Sequence, residues 1–413
     1  MAVVSRLSVN GDRLMGWVER LARIGRLPNG DICRLAFTPE DVQARYQVQQ
    51  WMMEAGMTVF NDAAGNIIGT YAGSEENAPA LATGSHIDTV PSGGAYDGVL
   101  GVLAGIEVVK TLQEQGQRLR HPLQVIVFTD EESSMVGARA LAGMVPRSPA
   151  ELKLRDGLDI ETCLETVGGN WQTIGTAQRT RDQIAAFVEL HVEQGAVLEQ
   201  TQTAIGVVQG VVGMRRSTIT IRGQANHAGT TPMDMRQDAL VAAAQVVLAV
   251  RDIALSTPNS PVATVGYLTV APNAANIVPG EVVLTVDMRD LSPAGLGSMQ
   301  ARLEEALQAI ATTTNTAIAI EPLLDVAPSP AAERIQATIT AVCEELKLSH
   351  RPMPSRAGHD AMEMGRITDM GMIFVPSQMG LSHSGREYTP PEDCIQGANV
   401  LLHTLLRLDQ LYA

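Results

Sequence analysis

The run Leu123-Gln-Val-Ile-Val-Phe-Thr129 is β-branched and almost wholly apolar, and it passes directly into Asp130-Glu131-Glu132. A strand that is apolar on both faces must be covered on both, so this one belongs near the centre of a sheet flanked by helices. That restricts the chain to the layered α/β architectures. It also places three acids at the carboxyl end of a buried strand, where open α/β sheets bind their ligands. Buried carboxylates without positive partners sooner take up a proton than stay charged. Either the acids form a solvated turn, or something cationic sits among them. Adjacent side chains on an extended segment point in different directions, so Glu132 can bind a metal while Glu131 faces the water on it. That division of labour suits a metallohydrolase.

The pattern of a buried strand leading into polar ligands recurs. Ala80-Leu-Ala-Thr83 reads as a short buried strand and Val99 to Val109 as a buried helix, and between them Gly84 to Gly98 carries His86, Asp88 and Asp97. His86 and Asp88 are two apart, so the Asp88 carboxylate is expected to accept the second ring N–H of His86 and fix its tautomer. Asp97 then returns across the loop as a carboxylate ligand; the alternative is a turn histidine with capping aspartates. Ala185 to Gly195 is another strand-like run, carrying His191, and the core strand Gly371 to Val375 leads to Gly380-Leu-Ser-His383. His86, Asp97, Glu132, His191 and His383 thus all lie just after apolar strands or on the loops beyond them. Nitrogen and oxygen donors without a thiolate suit zinc, manganese or cobalt. If one carboxylate bridges, this set can hold two divalent ions ~3.5–4 Å apart.

Asn10 can cap a helix whose apolar face is Leu14, Trp17, Val18, Leu21 and Ala22. A helix over 39–55 precedes a strand at 57–60, a hairpin-like turn at 61–65 and a strand at 66–71. Residues 146–181 read as irregular, with short helical pieces. From Val211 the pattern changes to strand 217–222, helix 234–255, strands 263–270 and 282–288, helix 298–313 and strand 317–321. This β-α-β-β-α-β order is that of a ferredoxin-like unit. The expected organisation is therefore 1–210 as the first part of a catalytic domain, 211–327 as an inserted domain and 328–413 as the second part. Pro328-Ser-Pro330 marks the return, and helices over 331–346 and 395–411 complete the chain.

With 413 residues, 45% of them hydrophobic, the chain has room for such a core, and its net charge of −15 argues against a nucleic-acid footprint. Cys33, Cys163, Cys343 and Cys394 have no CxxC spacing, which predicts reduced thiols and a cytoplasmic protein. The opening Met1-Ala-Val-Val-Ser-Arg lacks a signal peptide's apolar core, and no run approaches the ~20 apolar residues of a membrane span. Neither membrane nor nucleic acid is an expected partner.

GSHIDTVPSGGAYDG, the DEE after a strand, ELHVEQG, NHAGTTPM, NIVPG, DMRD, SRAGHDA and GLSHS, in that order, resemble the motifs of the dinuclear aminoacylase and carboxypeptidase metallohydrolases. The closer resemblance is to the amidase/hydantoinase/carbamoylase branch, with its N-carbamoyl-L-amino acid hydrolases, β-ureidopropionases and allantoate amidohydrolases. It covers nearly the whole chain, and His191 favours this branch, since peptidase relatives commonly have a carboxylate there. The resemblance implies a mixed-sheet α/β catalytic domain with an inserted ferredoxin-like dimerisation or lid domain. It implies that His86 and His191 bind one metal, that Glu132 and His383 bind the other, and that Asp97 bridges. Glu131 matches the general base and Asp88 the partner of His86. His227, Asn276, Arg289, Gln194 and the backbone at Gly358 match substrate-binding positions. His227 resembles a residue contributed across a homodimer interface to polarise the scissile carbonyl.

Where many relatives read EEGSRF this chain has Glu131-Glu-Ser-Ser-Met-Val136, which changes the pocket wall beyond the ligand. His359 and Asp360 are open between substrate contact and a supporting or turn-capping role, whereas His121, His350 and His403 read as surface or packing histidines. The expected activity is hydrolysis of a small anionic carbamoyl or ureido substrate, first an N-carbamoyl-L-amino acid, next allantoate. An N-acyl amino acid hydrolase or peptidase is the nearest rival. A non-catalytic binding protein is disfavoured by Glu131, which metal binding alone does not need.

Overall fold

In the computed structural model, Leu123–Phe128, Ala80–His86, Ile184–Val192 and Asp369–Val375 lie side by side in that order and parallel. These four are buried along almost their whole length, as their apolar sequences require. The structure describes residues 7–75, 77–152 and 154–412; the opening segment 1–6, read above for a signal peptide, lies outside them. Antiparallel strands extend the sheet on both sides. Ile67–Tyr71 and then Thr58–Asn61 form the expected hairpin beyond Leu123–Phe128, and Ile205–Val211 joins Asp369–Val375 on the other side, with His350–Ser355 paired to it. The mixed α/β sheet that the resemblance implies is the observed one.

Helix Gly11–Leu21 is capped by Asn10, whose side chain accepts from Arg13 N, and buries Leu14, Trp17, Val18 and Leu21. Val99–Glu114 is apolar nearly all round and buried nearly all round, packed among Leu81, Val125, Val188 and Leu401 in one continuous core. Pro391–Leu411 closes the layer with Val400, Leu401, Leu405 and Leu408 inward. Between 146 and 181 the chain makes short helical pieces, Pro149–Glu151, Arg155–Gly157, Ile160–Thr166 and Trp171–Ala177.

The chain divides into two compact units, Met1–Gly210 with Pro330–Ala413, and Val211–Ser329. In the second, Ala317–Val326, Gly213–Arg222, Glu281–Asp290 and Val262–Ala271 form an antiparallel sheet in that spatial order, fourth, first, third and second in the chain. Ala239–Ser256 and Pro293–Thr314 cover one face, where Ile219, Val282, Leu284 and Val286 meet Ala242, Val246, Leu303 and Leu307. This is the ferredoxin-like arrangement. The first helix starts at Ala239 rather than Asp234. Asp238 caps it, accepting from Leu240 N and Val241 N, while Met233–Met235 forms a separate turn. Contrary to the reading of the apolar runs, Ala239–Ser256 is long and apolar enough by length and composition to cross a membrane. In the fold it lays Ala239, Ala242, Ala243, Val246, Val250 and Ile253 on the sheet.

Candidate metal centre

The parallel strands deliver their polar residues to one end of the sheet. His86 is the last residue of its strand, His191 the next to last of its own, and Glu131 and Glu132 follow Phe128 by a tight turn in which Asp130 has φ 57°. Asp97 comes back on the loop that starts helix Val99–Glu114, and His383 follows Asp369–Val375 on a loop of its own. Asp130, Met135, Gln194 and His383 all hold positive φ without being glycine. Each such residue costs roughly 1–3 kcal/mol, and strain of this kind collects where geometry serves a site.

Asp97 is the centre of the arrangement. Its Oδ1 lies 3.1 Å from His191 Nε2 and 3.7 Å from His86 Nε2, while its Oδ2 lies 3.4 Å from His383 Nε2, which is itself 3.4 Å from Glu132 Oε2. One carboxylate therefore presents one oxygen to each of two donor sets, His86 with His191 and Glu132 with His383. The other ring nitrogen of each buried histidine is occupied by a carbonyl: His86 Nδ1 is 3.0 Å from Asp88 O, and His191 Nδ1 is 2.8 Å from Val192 O. Both Nδ1 atoms must donate, so it is Nε2 of each ring that is turned to the centre, where the neutral ring offers a lone pair to a metal. Gly98 makes room for this: at φ +66°, a Cβ there would meet His86 Nε2 at 2.4 Å.

The expected role of the Asp88 carboxylate is corrected. It stands 3.7 Å from His86 Nδ1 and instead accepts Glu131 N at 3.4 Å and Glu132 N at 3.2 Å, because the Asp88 carbonyl already takes the ring proton. Asp88 holds the backbone that carries both glutamates.

The electrostatics call for a cation. Burial, then the charges of Glu132, Asp88 and Asp97, push the Glu131 carboxyl up to about 8 against the pull of His86, whose Nε2 is 3.7 Å from Glu131 Oε2. Asp97 is held well below the usual carboxylate range: burial opposes this, but His191, His383 and His86 outweigh it. A divalent ion on each side of Asp97 would supply the positive charge this crowd of acids lacks, and the nitrogen and oxygen donors fit zinc, manganese or cobalt.

These residues line a pocket of about 220 Å³ together with Ser133, Met135, Gln194, Ala357, Gly358 and His359. Gln194 Nε2 donates to Asp97 Oδ2 at 2.8 Å, so this side chain touches the central carboxylate as well as the pocket. His359 is buried, with Nε2 2.8 Å from Ser355 Oγ and its ring edge-on to His191, so it packs against that imidazole. Glu189, His191 and His359 also cluster, but Glu189 already accepts Ser85 Oγ and Ala361 N. Burial, then the charges of Glu131 and Glu189, hold the Asp360 carboxyl well above its usual range. His121 and His403 are buried packing residues, on Pro79 O and Leu7 O, and His350 meets Leu348 O. Sequence reasoning missed Glu189, Ser382 and Glu387. Ser382 Oγ donates to Asp97 Oδ2 at 2.9 Å, and the buried Glu387 accepts Tyr96 N and Asp97 N. The only hint in the sequence was the position of Glu387 four residues after His383.

In the second unit, His227 ends the strand Asn226–His227, and Asn276 immediately precedes the strand paired with it, Ile277–Val278, with Asn276 O accepting Ala228 N. His227 is exposed, and its Nδ1 accepts Gly229 N at 3.0 Å and Thr230 N at 3.3 Å, which puts the ring proton on Nε2. Arg289 lies on the sheet face away from the helices, its Nε donating to Asp287 Oδ1 at 2.9 Å, while Asp287 Oδ2 accepts Arg216 Nη2 at 2.7 Å.

Residues 82–407 match the model of peptidase family M20/M25/M40. The chain is 38% identical to an N-carbamoyl-L-amino acid amidohydrolase of Geobacillus stearothermophilus, over 97% of this chain and 99% of the relative. It is 32% identical to an allantoate amidohydrolase of Bacillus subtilis, over 98% of each. The crystal structure of an amidase of the hydantoinase/carbamoylase family from Burkholderia multivorans superposes with a TM-score of 0.91, at 37% identity over 97% of this chain and 98% of that one.

Proposed function

We propose that this chain, which belongs to peptidase family M20/M25/M40, is a metal-dependent amidohydrolase that cleaves an N-carbamoyl-L-amino acid to the amino acid, ammonia and carbon dioxide. The observation that carries the reading is Asp97, with one oxygen toward His86 and His191 and the other toward His383 beside Glu132. We assign one divalent ion to each side, with zinc, manganese or cobalt as candidates. When bound, such ions polarise the substrate carbonyl and lower the pKa of the attacking water.

The chain's own residues do the rest. Glu131 accepts the proton of the attacking water and passes it to the leaving nitrogen. Asp88 fixes Glu131 and Glu132 through their backbone N–H groups. His227, with its proton on Nε2, donates to the carbonyl oxygen as charge develops there. Asn276 and Gln194 bind the polar substrate with the backbone at Gly358, and Arg289 pairs with the substrate carboxylate.

We further assign His227 to the partner subunit's site in a homodimer formed through the inserted unit. The support is an exposed apolar face on Ala239–Ser256, with Leu240, Val241, Leu248 and Leu255 outward. The free thiols of Cys33, Cys163, Cys343 and Cys394 support a cytoplasmic setting. Allantoate is the second candidate, favoured by the Bacillus subtilis relative. The test is turnover by metal-loaded protein of N-carbamoyl-L-amino acids and allantoate, read as ammonia released, and of N-acetyl-L-amino acids, read as free amino acid released. Ammonia from the first supports the reading; turnover of the acetyl compounds alone would replace it with an acylase.

A further inference from the structure

Glu387 is 5% exposed and belongs to neither donor set, yet it grips the loop that carries the central carboxylate. Its Oε2 accepts Tyr96 N at 3.0 Å and Asp97 N at 3.2 Å, across 291 and 290 residues of sequence. Its Oε1 lies 3.4 Å from Ser382 Oγ, which lies nearer, at 2.9 Å, to Asp97 Oδ2. A hydroxyl has one proton, and the shorter contact directs it to Asp97. The approach is close enough that a Cβ on Gly94 would meet Glu387 Oε2 at 2.0 Å. One buried side chain thus ties two loops together, the one bearing Asp97 and the one bearing Ser382 and His383.

We propose that Glu387 is a positioning residue that sets Asp97 Oδ2 against His383 and so determines how tightly the ion between Asp97, Glu132 and His383 is held. This rests on the two-ion reading above. Outer partners of metal ligands are worth roughly 10–100-fold in metal affinity. A ligand-holding role depends on reach: the acceptor must arrive at both N–H groups. A purely electrostatic role depends on charge.

Two variants separate these, read by equilibrium dialysis of metal-free protein against zinc, with thermal denaturation of the metal-free form as the check on folding. Glu387→Gln keeps the length and an acceptor oxygen for the Tyr96 and Asp97 N–H groups and is expected to bind both ions within about threefold of wild type. Glu387→Asp keeps the charge but is one methylene shorter; it is expected to hold one ion normally and the other about tenfold or more weakly. Wild-type affinity for both ions in Glu387→Asp overturns the proposal, as does a loss in Glu387→Gln that equals or exceeds that in Glu387→Asp. Failure of wild-type protein to bind two ions would instead refute the two-ion reading itself.

Discussion

Gly98→Ala asks whether the closeness of the loop to His86 matters to the metal site. Gly98 has φ 66° and ψ −46°, a conformation that costs a residue with a side chain roughly 1–3 kcal/mol. The new Cβ would stand 2.4 Å from His86 Nε2, 2.5 Å from Cδ2 and 2.6 Å from Cε1. Ordinary contact begins at ~3.5 Å, so the ring must retreat by ~1 Å. His86 is 2% exposed and tied through Nδ1 to Asp88 O, and overpacking of that kind costs roughly a further 1–3 kcal/mol. The metal site is less forgiving than the fold, because ligand distances tolerate only about 0.2 Å. Gly116→Ala is the control: φ is +62° there, and a Cβ would meet nothing within 4 Å. Thermal melts of the metal-free proteins and metal bound per chain are the assays. Gly98→Ala should lose roughly 2–6 kcal/mol of stability and bind metal tenfold or more weakly, whereas Gly116→Ala should lose stability alone. Wild-type metal affinity in Gly98→Ala would refute the claim that His86 is a ligand held in place by this loop.

Glu131→Gln should keep its metal and lose turnover by roughly 10²–10⁴-fold, while Glu132→Gln should lose metal; metal analysis with the opposite result would exchange the two roles. Mixed dimers of His227→Ala and Glu131→Gln chains should regain activity, since one of the two sites then carries both wild-type residues, and verified heterodimers without recovery would return His227 to its own chain. Arg289→Ala should lose roughly 10²–10³-fold in kcat/KM on the carbamoyl amino acid and change little on its carboxamide. Equal losses on both would mean that Arg289, held at Nε by Asp287, does not read the carboxylate.

Much of this was legible in the sequence because buried parallel strands announce themselves. Leu123–Phe128, Ile184–Val192 and Asp369–Val375 are apolar on both faces, so their ends, and the polar residues beyond them, could be located before any coordinates. His350–Ser355 was not seen, because a strand containing Pro352 and Pro354 shows no strand signal and is tolerated only where ladder bonds are not all needed. Helix Asp360–Met364 is only a turn and a half long, too short for periodicity to appear. The Asp88 assignment failed because the ring proton of His86 goes to a main-chain carbonyl, which every residue has. The role of Glu387 was hidden for a different reason. Its partners lie 290 residues away, and only the fold makes them neighbours.

The central claim is that hydrolysis depends on two ions held about Asp97. Chelated protein, shown by elemental analysis to be free of metal, should release no ammonia from N-carbamoyl-L-amino acid. Titration with zinc, manganese or cobalt should restore release, with activity reaching its plateau at two equivalents per chain. Undiminished ammonia release by the metal-free protein, or a plateau reached at one equivalent, would contradict the account.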